Sequence, residues 1–415
     1  MGNNIIHTQF IVTKHNDGIL AVYQKDNRLE EISYEKDNTA IRVQDIYVGR
    51  VIDYPRQLKA AFVEVKKGIK CFLPLNHLSE EDASKIHAGD NLLVQVHKEA
   101  IKQKDAVLTQ NISLPGANVV VSLINHKISF SSTINRKVKE LIKSQIGTSI
   151  NIPDGYGVIF RSKVAECING RDLLNNKDEL DRYFEEINTE IKALCSKIHH
   201  IKELSLTRTA FTCLYESEPE YLKKLSSCIN DYSIPDKIIT DDETLYNKLK
   251  EYLDVKGITK DTDNIQLELY QDDSFSLFKL FSLNTRINEL LQRNVWLNSG
   301  SYLVIEQTET LTVIDVNSGK NIIGKDKEEY NLKINIEAAR EAIRQIRLRH
   351  ISGIIIIDFI NMTDNNKNIL INELRSLTLN EPIKTRFVDI TALGLAEITR
   401  EKKERLLSDF FLDKP

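Results

Sequence analysis

The chain has no large excess of either charge. Its 56 Lys and Arg stand against 60 Asp and Glu, a net charge of −4. This excludes a protein that binds nucleic acid through its overall field, so any such binding needs positive charge gathered locally. The five cysteines (Cys71, Cys167, Cys195, Cys213, Cys228) are odd in number and show no C-x-x-C spacing. They read as scattered reduced thiols, not as a zinc site or a disulfide framework. The His residues show no metal spacing either, and His199-His200 reads as helix surface. No apolar run approaches the roughly 20 residues needed to cross a bilayer. The opening MGNNIIHTQFIVTKHN has no basic-then-apolar signal, and Ile6 breaks a myristoylation pattern. The expected compartment is the cytoplasm. Low-complexity stretches, internal repeats and Pro/Gly/Ser-rich linkers are also missing, which argues against disorder and for closely packed domains.

What is present is enough for several cores: 415 residues, 41% of them hydrophobic and 28% charged. The expected class is a multidomain protein with α/β and all-β parts. Residues 1–38 alternate like three short strands around the Asp17-Gly18 turn signal, and without a helix they need later partners. Residues 39–117 read as about five short strands, the pattern of a small barrel such as an OB fold. Residues 118–210 read as strands, VVVSLINHKISF and GYGVIFRSKV, followed by a charged helix. Residues 211–285 mix helices with the short strands DKIIT and IQLELY, the natural partners of the N-terminal strands. Residues 286–405 read as α/β, with a tail at 406–415.

Two carboxylates in the α/β part draw the chemistry together. In TLTVIDVN, Asp315 and Asn317 share a strand face. In GIIIIDF, Asp358 ends a run that reads as buried on both sides. The helix between them has Ile336, Ala339, Ile343 and Ile346 at core-facing spacing. A strand-helix-strand crossover makes the two strands parallel neighbours, with both carboxylates at the carboxyl ends where ligands collect. Two carboxylates there suit magnesium, with water and phosphate filling its octahedron. An aspartate at a strand end also caps turns and helices, and spacing alone leaves the structural and metal-binding readings equally open. Arg340, Arg344 and Arg347 recur along the same helix, as a solvated face or as RNA contacts. Asn317-Ser318-Gly319-Lys320 lacks the upstream glycine of a P-loop.

Longer runs carry a resemblance. RNVWLNSGSYLVIEQTETLTVIDVNSG (293–319) and NLKINIEAAREAIRQIRLRHISGIIIIDFINM (331–362) resemble the catalytic segment of the ribonuclease E/G family. DIYVGRVIDYPRQLKAAFVEVKKGIKCFLPL and LTQNISLPGANVVV are similar too, as are GVIFRSKVAE and LGLAEITR more weakly. The likeness runs from about residue 40 to 403, and the 43-residue separation of Asp315 and Asp358 fits it. It implies an RNase H-like subdomain (1–38 and 211–285) interrupted by an S1-type OB barrel (39–117) and a 5′-sensor region (118–210). A DNase I-like catalytic subdomain (286–405) follows. It implies a magnesium-dependent endoribonuclease that cuts single-stranded, A/U-rich RNA to 5′-phosphate and 3′-hydroxyl ends, in rRNA processing or mRNA decay. By position, Asp315 and Asp358 would ligate magnesium, and Asn317 would orient a carboxylate or contact substrate. Phe62 and Phe72 would stack bases with Lys104 as a basic contact, and Lys98 and Lys102 would extend a phosphate track. Arg161 and Ser162, with Gly116 and Val120, would form a 5′-phosphate pocket.

The chain also departs from the family pattern. It ends at DFFLDKP without the C-P-x-C zinc link, so the expectation is no zinc, and a monomer or a homodimer built without that link. Asn361 replaces an aspartate near the metal. Thr391-Ala392-Leu393-Gly394-Leu395 lacks an arginine, and Phe130-Ser131 stands where a basic pair is expected, which would weaken 5′-monophosphate sensing. The alternative function is a catalytically weak RNA-binding protein derived from the same family.

Overall fold

Apolar residues on alternate positions of the first strands leave both faces of the ribbon needing cover. The computed structural model describes residues 7–36, 41–78, 85–100, 105–123, 127–131, 134–170, 173, 176–231, 235–258, 265–272, 274–319 and 327–411. In it β1 (Thr8–His15), β2 (Gly18–Lys25) and β3 (Arg28–Lys36) form an antiparallel meander. Phe10, Val12 and Ala21 face one core, while Ile11, Leu20, Val22 and Ile32 face another. Each fully buried aliphatic or aromatic side chain contributes about 1.5–3 kcal/mol, so a three-stranded ribbon with two apolar faces is stable only when covered twice. The chain forms two compact units: Thr39–Ser217 is one, and Met1–Asn38 joins Glu218–Pro415 in the other.

The inserted unit opens with β4 (Ile46–Asp53), β5 (Ala60–Lys66), β6 (Ile69–Pro74), β7 (Asn91–Lys98) and β8 (Ala106–Thr109). They pair in the order β4-β5-β6-β8-β7, and β7 returns to β4 to close an OB-like barrel. Closure removes the free edges that short strands otherwise expose. Val51, Val63, Leu73, Val94 and Leu108 fill the barrel. Next come β9 (Ser113–Pro115), β10 (Val119–Ser122), β11 (Ile128–Phe130), α1 (Arg136–Gln145) and β12 (Gly157–Phe160). The four strands form a sheet in the order β11-β12-β10-β9. The run read as one strand through Val164 ends at Phe160, and helix α2 (Ser162–Gly170) starts two residues later. Val164, Ala165 and Ile168 are buried at helical spacing, which outweighs the strand-like start. The 31-residue α3 (Lys177–Thr207) lays Leu180, Phe184, Ile187, Ile191, Cys195 and Ile198 along one stripe against this sheet. Then β13 (Cys213–Tyr215) pairs with β4. Burial pushes the Cys71 thiol up to about 12 and the Cys195 thiol to about 11, so neither is a nucleophile at neutral pH.

The second unit resumes with α4 (Glu220–Asp231), β14 (Lys237–Thr240), α5 (Glu243–Lys256) and β15 (Gln266–Leu269). Here the N-terminal strands find their partner. Gln9–Val12 of β1 pairs in parallel with Lys237–Thr240, giving the sheet order β15-β14-β1-β2-β3. Helices α4 and α5 cover one face of it. Leu277 of α6 (Leu277–Leu280) and Leu283, Ile287 and Leu290 of α7 (Leu283–Leu290) cover the other.

The last sheet holds β16 (Asn294–Trp296), β17 (Tyr302–Gln307), β18 (Leu311–Asn317), β19 (Gly353–Asp358), β20 (Thr385–Ile390) and β21 (Leu395–Arg400), ordered β16-β17-β18-β19-β21-β20. Helix α8 (Lys327–Leu348) crosses from β18 to β19, which pair in parallel, and α9 (Asp364–Leu379) joins α8 on the same side. A short α10 (Ser408–Phe411) follows. Among the described residues of this unit, the sheet is covered on that side alone. Ile355 and Ile357 are fully buried, whereas Ile354 is 50% exposed and Ile356 half-buried. The expectation of burial on both sides is therefore corrected. An isoleucine run carries no alternation from which a one-sided strand could be told from a two-sided one.

Buried charge ties β3 to α8 and the segments beside the last sheet. Arg347 reaches Glu381 at 2.5 Å, Glu31 at 3.2 Å and Glu30 at 3.4 Å. Lys224 lies 3.0 Å from Glu31 and 3.4 Å from Glu404. Arg344 donates to Glu341 and to the Leu29 carbonyl, and Arg28 reaches Glu341 from the other side. Arg344 and Arg347 are thus bonded inside the unit, while Arg340 pairs with Glu373 at its surface. Burial raises the Glu404 carboxyl, but Lys224, His350 and Arg400 override it and hold the group at about 2, against an ordinary 4.5. A depressed carboxyl stabilises the fold above its unfolded value and loses that contribution as pH falls toward its folded value. Wild-type protein should therefore lose roughly 2 kcal/mol more than Glu404→Gln between pH 7 and pH 3, read by urea unfolding. Identical losses in the two proteins would remove Glu404 from the account.

Candidate active site

Asp315 and Asp358 stand opposite each other in the β18–β19 ladder, in direct register. Neighbouring strands lie about 4.8 Å apart, and residues paired across a parallel ladder point to the same side. Thr312, Ile314 and Val316 point to the helices, so Asp315 and Asn317 point away from them, and Asp358 does the same beside the buried Ile357. Both carboxylates are exposed on the uncovered face. Asn317 Nδ2 donates to Asp315 Oδ2 at 2.7 Å, which restrains one carboxylate oxygen.

Helix α8 fixes the strand end that carries Asp358. Asn335, fully buried, donates to the Ile360 carbonyl at 2.7 Å and accepts from the Ile360 amide at 3.0 Å. Asn331 donates to the Asn361 carbonyl at 3.1 Å, and Glu328 accepts from the Thr363 amide at 3.1 Å. Glu328, Asn331 and Asn335 follow one helical stripe, three and four residues apart. Sequence reasoning missed them. Their signal was two amides at core-facing positions of an apolar helix, because a buried amide requires a partner. Asn361 has an exposed side chain, and its backbone is what α8 holds.

A donor set of two neighbouring carboxylates is sparse and wholly oxygen. Among the described residues no group of three or more His, Cys, Asp or Glu forms a metal cage. Such a pair fits a hard cation that keeps several of its waters, as magnesium does, and leaves positions for phosphate oxygens.

On the barrel, Phe62 and Phe72 are cross-strand partners with ring centroids 5.9 Å apart. Both are half-buried and stand apart from the apolar residues that fill the barrel. Lys70 Nζ sits 3.8 Å above the Phe62 ring. Lys98 is exposed at the end of β7, whereas Lys102 and Lys104 lie outside the described residues.

The structure also brings Gly116 and Arg161 together: Arg161 donates to the Gly116 carbonyl at 2.5 Å. Half-buried Val120 pairs with Pro115 and Ile159, and Ser162 begins α2. Sequence reasoning missed Glu190 on α3. Its carboxylate accepts from the Asn118 amide at 3.0 Å and from the Asn118 side chain at 2.9 Å, with Tyr183 donating to Asn118 Oδ1. A Cβ on Gly116 would meet this carboxylate, which would have to shift to admit it. Phe130 stacks on Phe160 at 5.3 Å, and Ala392 is exposed in the turn between β20 and β21.

A family model described as the ribonuclease E/G family matches residues 113–403. Ribonuclease E of Haemophilus influenzae is 28% identical over 394 residues, 90% of this chain and 39% of that protein. Ribonuclease E of Synechocystis sp. is 28% identical over 411 residues, 97% of this chain and 57% of that protein. Ribonuclease G of Escherichia coli K12 is 28% identical over 392 residues, covering 90% and 76%. The chain thus spans well under two thirds of these two ribonuclease E proteins and about three quarters of the ribonuclease G.

Replacing Asn335 by Leu would leave the Ile360 amide and carbonyl unpaired beside the core. The expected loss is roughly 1–3 kcal/mol per orphaned group, measured by urea unfolding, with faster hydrogen exchange at residues 358–361. An unchanged midpoint would show that the α8 stripe does not hold the strand end.

Proposed function

Because this chain belongs to the ribonuclease E/G family, we propose that it is an endoribonuclease whose cleavage centre is the Asp315–Asp358 pair, acting on single-stranded, A/U-rich RNA. The observation that carries the reading is the direct register of two exposed carboxylates on the open face of the sheet. The layout behind it would be an RNase H-like subdomain interrupted by an S1-type barrel and a sensor region, then a DNase I-like subdomain. Its setting would be rRNA processing or mRNA decay in the cytoplasm.

Asp315 and Asp358 are the residues that would hold a magnesium ion. When bound, that ion supplies Lewis-acid polarisation of the phosphate and a more acidic water. The chain's own contribution is placement. Asn317 keeps Asp315 in one rotamer, and the α8 amides keep the end of β19 from fraying, so both carboxylates meet the incoming phosphodiester already aligned. On the barrel, Phe62 and Phe72 would stack RNA bases at about 1–3 kcal/mol each, with Lys98 and Lys104 as contacts to phosphates. Cleavage would leave a 5′-phosphate and a 3′-hydroxyl.

A labelled A/U-rich oligonucleotide should be cut with magnesium, spared with EDTA, and spared by Asp358→Ala while still binding. Full cleavage by Asp315→Asn or Asp358→Ala would overturn the assignment of the pair. Binding without cleavage at any magnesium concentration would favour the alternative, an RNA-binding protein with little catalysis.

Sensing of the 5′ end is the part we read as reduced. Gly116, Val120, Arg161 and Ser162 supply the residues of a phosphate pocket, but Glu190 brings negative charge to that loop and Arg161 is already engaged. In sequence, Phe130 and Ala392 replace residues that are basic in the family pattern. Like charge near a phosphate site costs affinity, so entry at internal sites would dominate. Substrates with 5′-hydroxyl and 5′-monophosphate ends should then be cut at rates within a few-fold of each other. A large monophosphate preference would restore the pocket to full function.

A further inference from the structure

One row of cross-strand partners runs outward from the carboxylates. Tyr302 of β17 pairs with Asn317, and Trp296 of β16 pairs with Tyr302. Leu303 and Val316 point to the helices, so Tyr302 and Asn317 share the uncovered face with Asp315 and Asp358. Trp296 is 69% exposed, and its ring meets the Tyr302 ring at 5.0 Å and 48°, a tilted contact that leaves most of the indole to solvent. The turn between β16 and β17 is pinned to the end of β18. Ser301 donates to the Ser318 carbonyl at 3.1 Å, and Gly319, at φ 67°, passes too close to Gly300 for any side chain.

We propose that Trp296 and Tyr302 form a base-stacking platform for the RNA strand, receiving an unpaired nucleobase next to the phosphate presented to Asp315 and Asp358. The proposal rests on the reading of that pair as the cleavage centre. Two strand spacings, about 10 Å, separate β16 from β18, a reach suited to a base close to the scissile phosphate. The neighbours of the rings favour this occupant. Half-buried Val304 lies between Asn294 and Asp315 on this face, but Asp315, Asn317, Asn294 and Glu306 around it are polar, and Arg293 is paired with Glu306. An apolar protein surface laid over this row would drive two carboxylates out of water at large cost. A nucleotide offers instead a π face for the indole and keeps its charged backbone at the carboxylate end. Every base has such a face, so the platform would favour unpaired over paired RNA without reading sequence.

Trp296 is the only tryptophan in the chain, so its emission reports this site alone. Adding a single-stranded A/U-rich oligoribonucleotide to the non-cleaving Asp358→Asn protein should quench that emission in step with binding followed by anisotropy. Trp296→Ala should raise KM roughly five- to a hundredfold, with kcat little changed and Trp296→Phe recovering much of the loss. An abasic nucleotide beside the cleavage position should weaken binding to the wild type and leave Trp296→Ala unaffected. Binding with silent emission would overturn the platform, as would an active Trp296→Ala protein of unchanged KM. A concentration-dependent blue shift without RNA would overturn it too, assigning the surface to a second copy of the chain. Quenching by RNA in a wild-type protein that never cleaves would overturn the nuclease reading and leave the platform standing.

Discussion

The parallel register of β18 and β19 is the constraint on which the site depends. Strand side chains alternate with a period of two, so a slip of one residue in either strand would send one carboxylate into the helix-covered core. The core itself prevents that slip. Ile314 and Val316 on one strand and Ile355 and Ile357 on the other must meet α8 and α9, and moving either strand by one position would expose them. Apolar burial on one face thereby fixes charge on the other. The acidic pair needs no other device to bring it together, only a strand end that stays put, which the polar stripe of α8 provides.

The same helix serves two masters. Its first turns hold the end of β19, and its last turns, through Arg344 and Arg347, hold the N-terminal meander. Ionic groups are costly to bury, and a buried pair is weak evidence for stability in itself. Removing one member is a different matter, since it strands the others in a low-dielectric region. What the cluster gives is orientation: Glu31 and Glu404 bring together Lys224 from α4 and Arg347 and His350 from the end of α8 and the turn after it.

Much of this was legible beforehand. Asp315 and Asp358 could be placed on adjacent parallel strands from a β-α-β pattern alone, and the need of the first strands for late partners followed from their lack of a helix. The open face of the last sheet was not legible, because the isoleucine run 354–357 has no polar residue to mark the exposed side. Nor was α2, whose Ser162 start lies directly behind a strand-like run. Arg344 and Arg347 show the limit of charge reading: basic residues at helical spacing look solvated until the acidic partners, Glu31 and Glu381, arrive from distant sequence. Glu190 belongs with them, since nothing local ties α3 to the Gly116 loop.

The pairing of β1 with β14 has a consequence for the chain as it is made. Gln9–Val12 leaves the ribosome long before Lys237–Thr240 does. At about 5–20 residues per second the interval is roughly 10–45 s, ample for an inserted barrel and helical sheet to fold while the meander waits. Throughout that wait β1 has a free hydrogen-bonding edge and two uncovered apolar faces, the form in which a nascent strand most readily joins a wrong neighbour. Slow translation through residues 39–217 would lengthen the exposure, and occupancy of β1–β3 by a holdase would shorten it. The vulnerable moment in the life of this chain is therefore set by where its insertion lies.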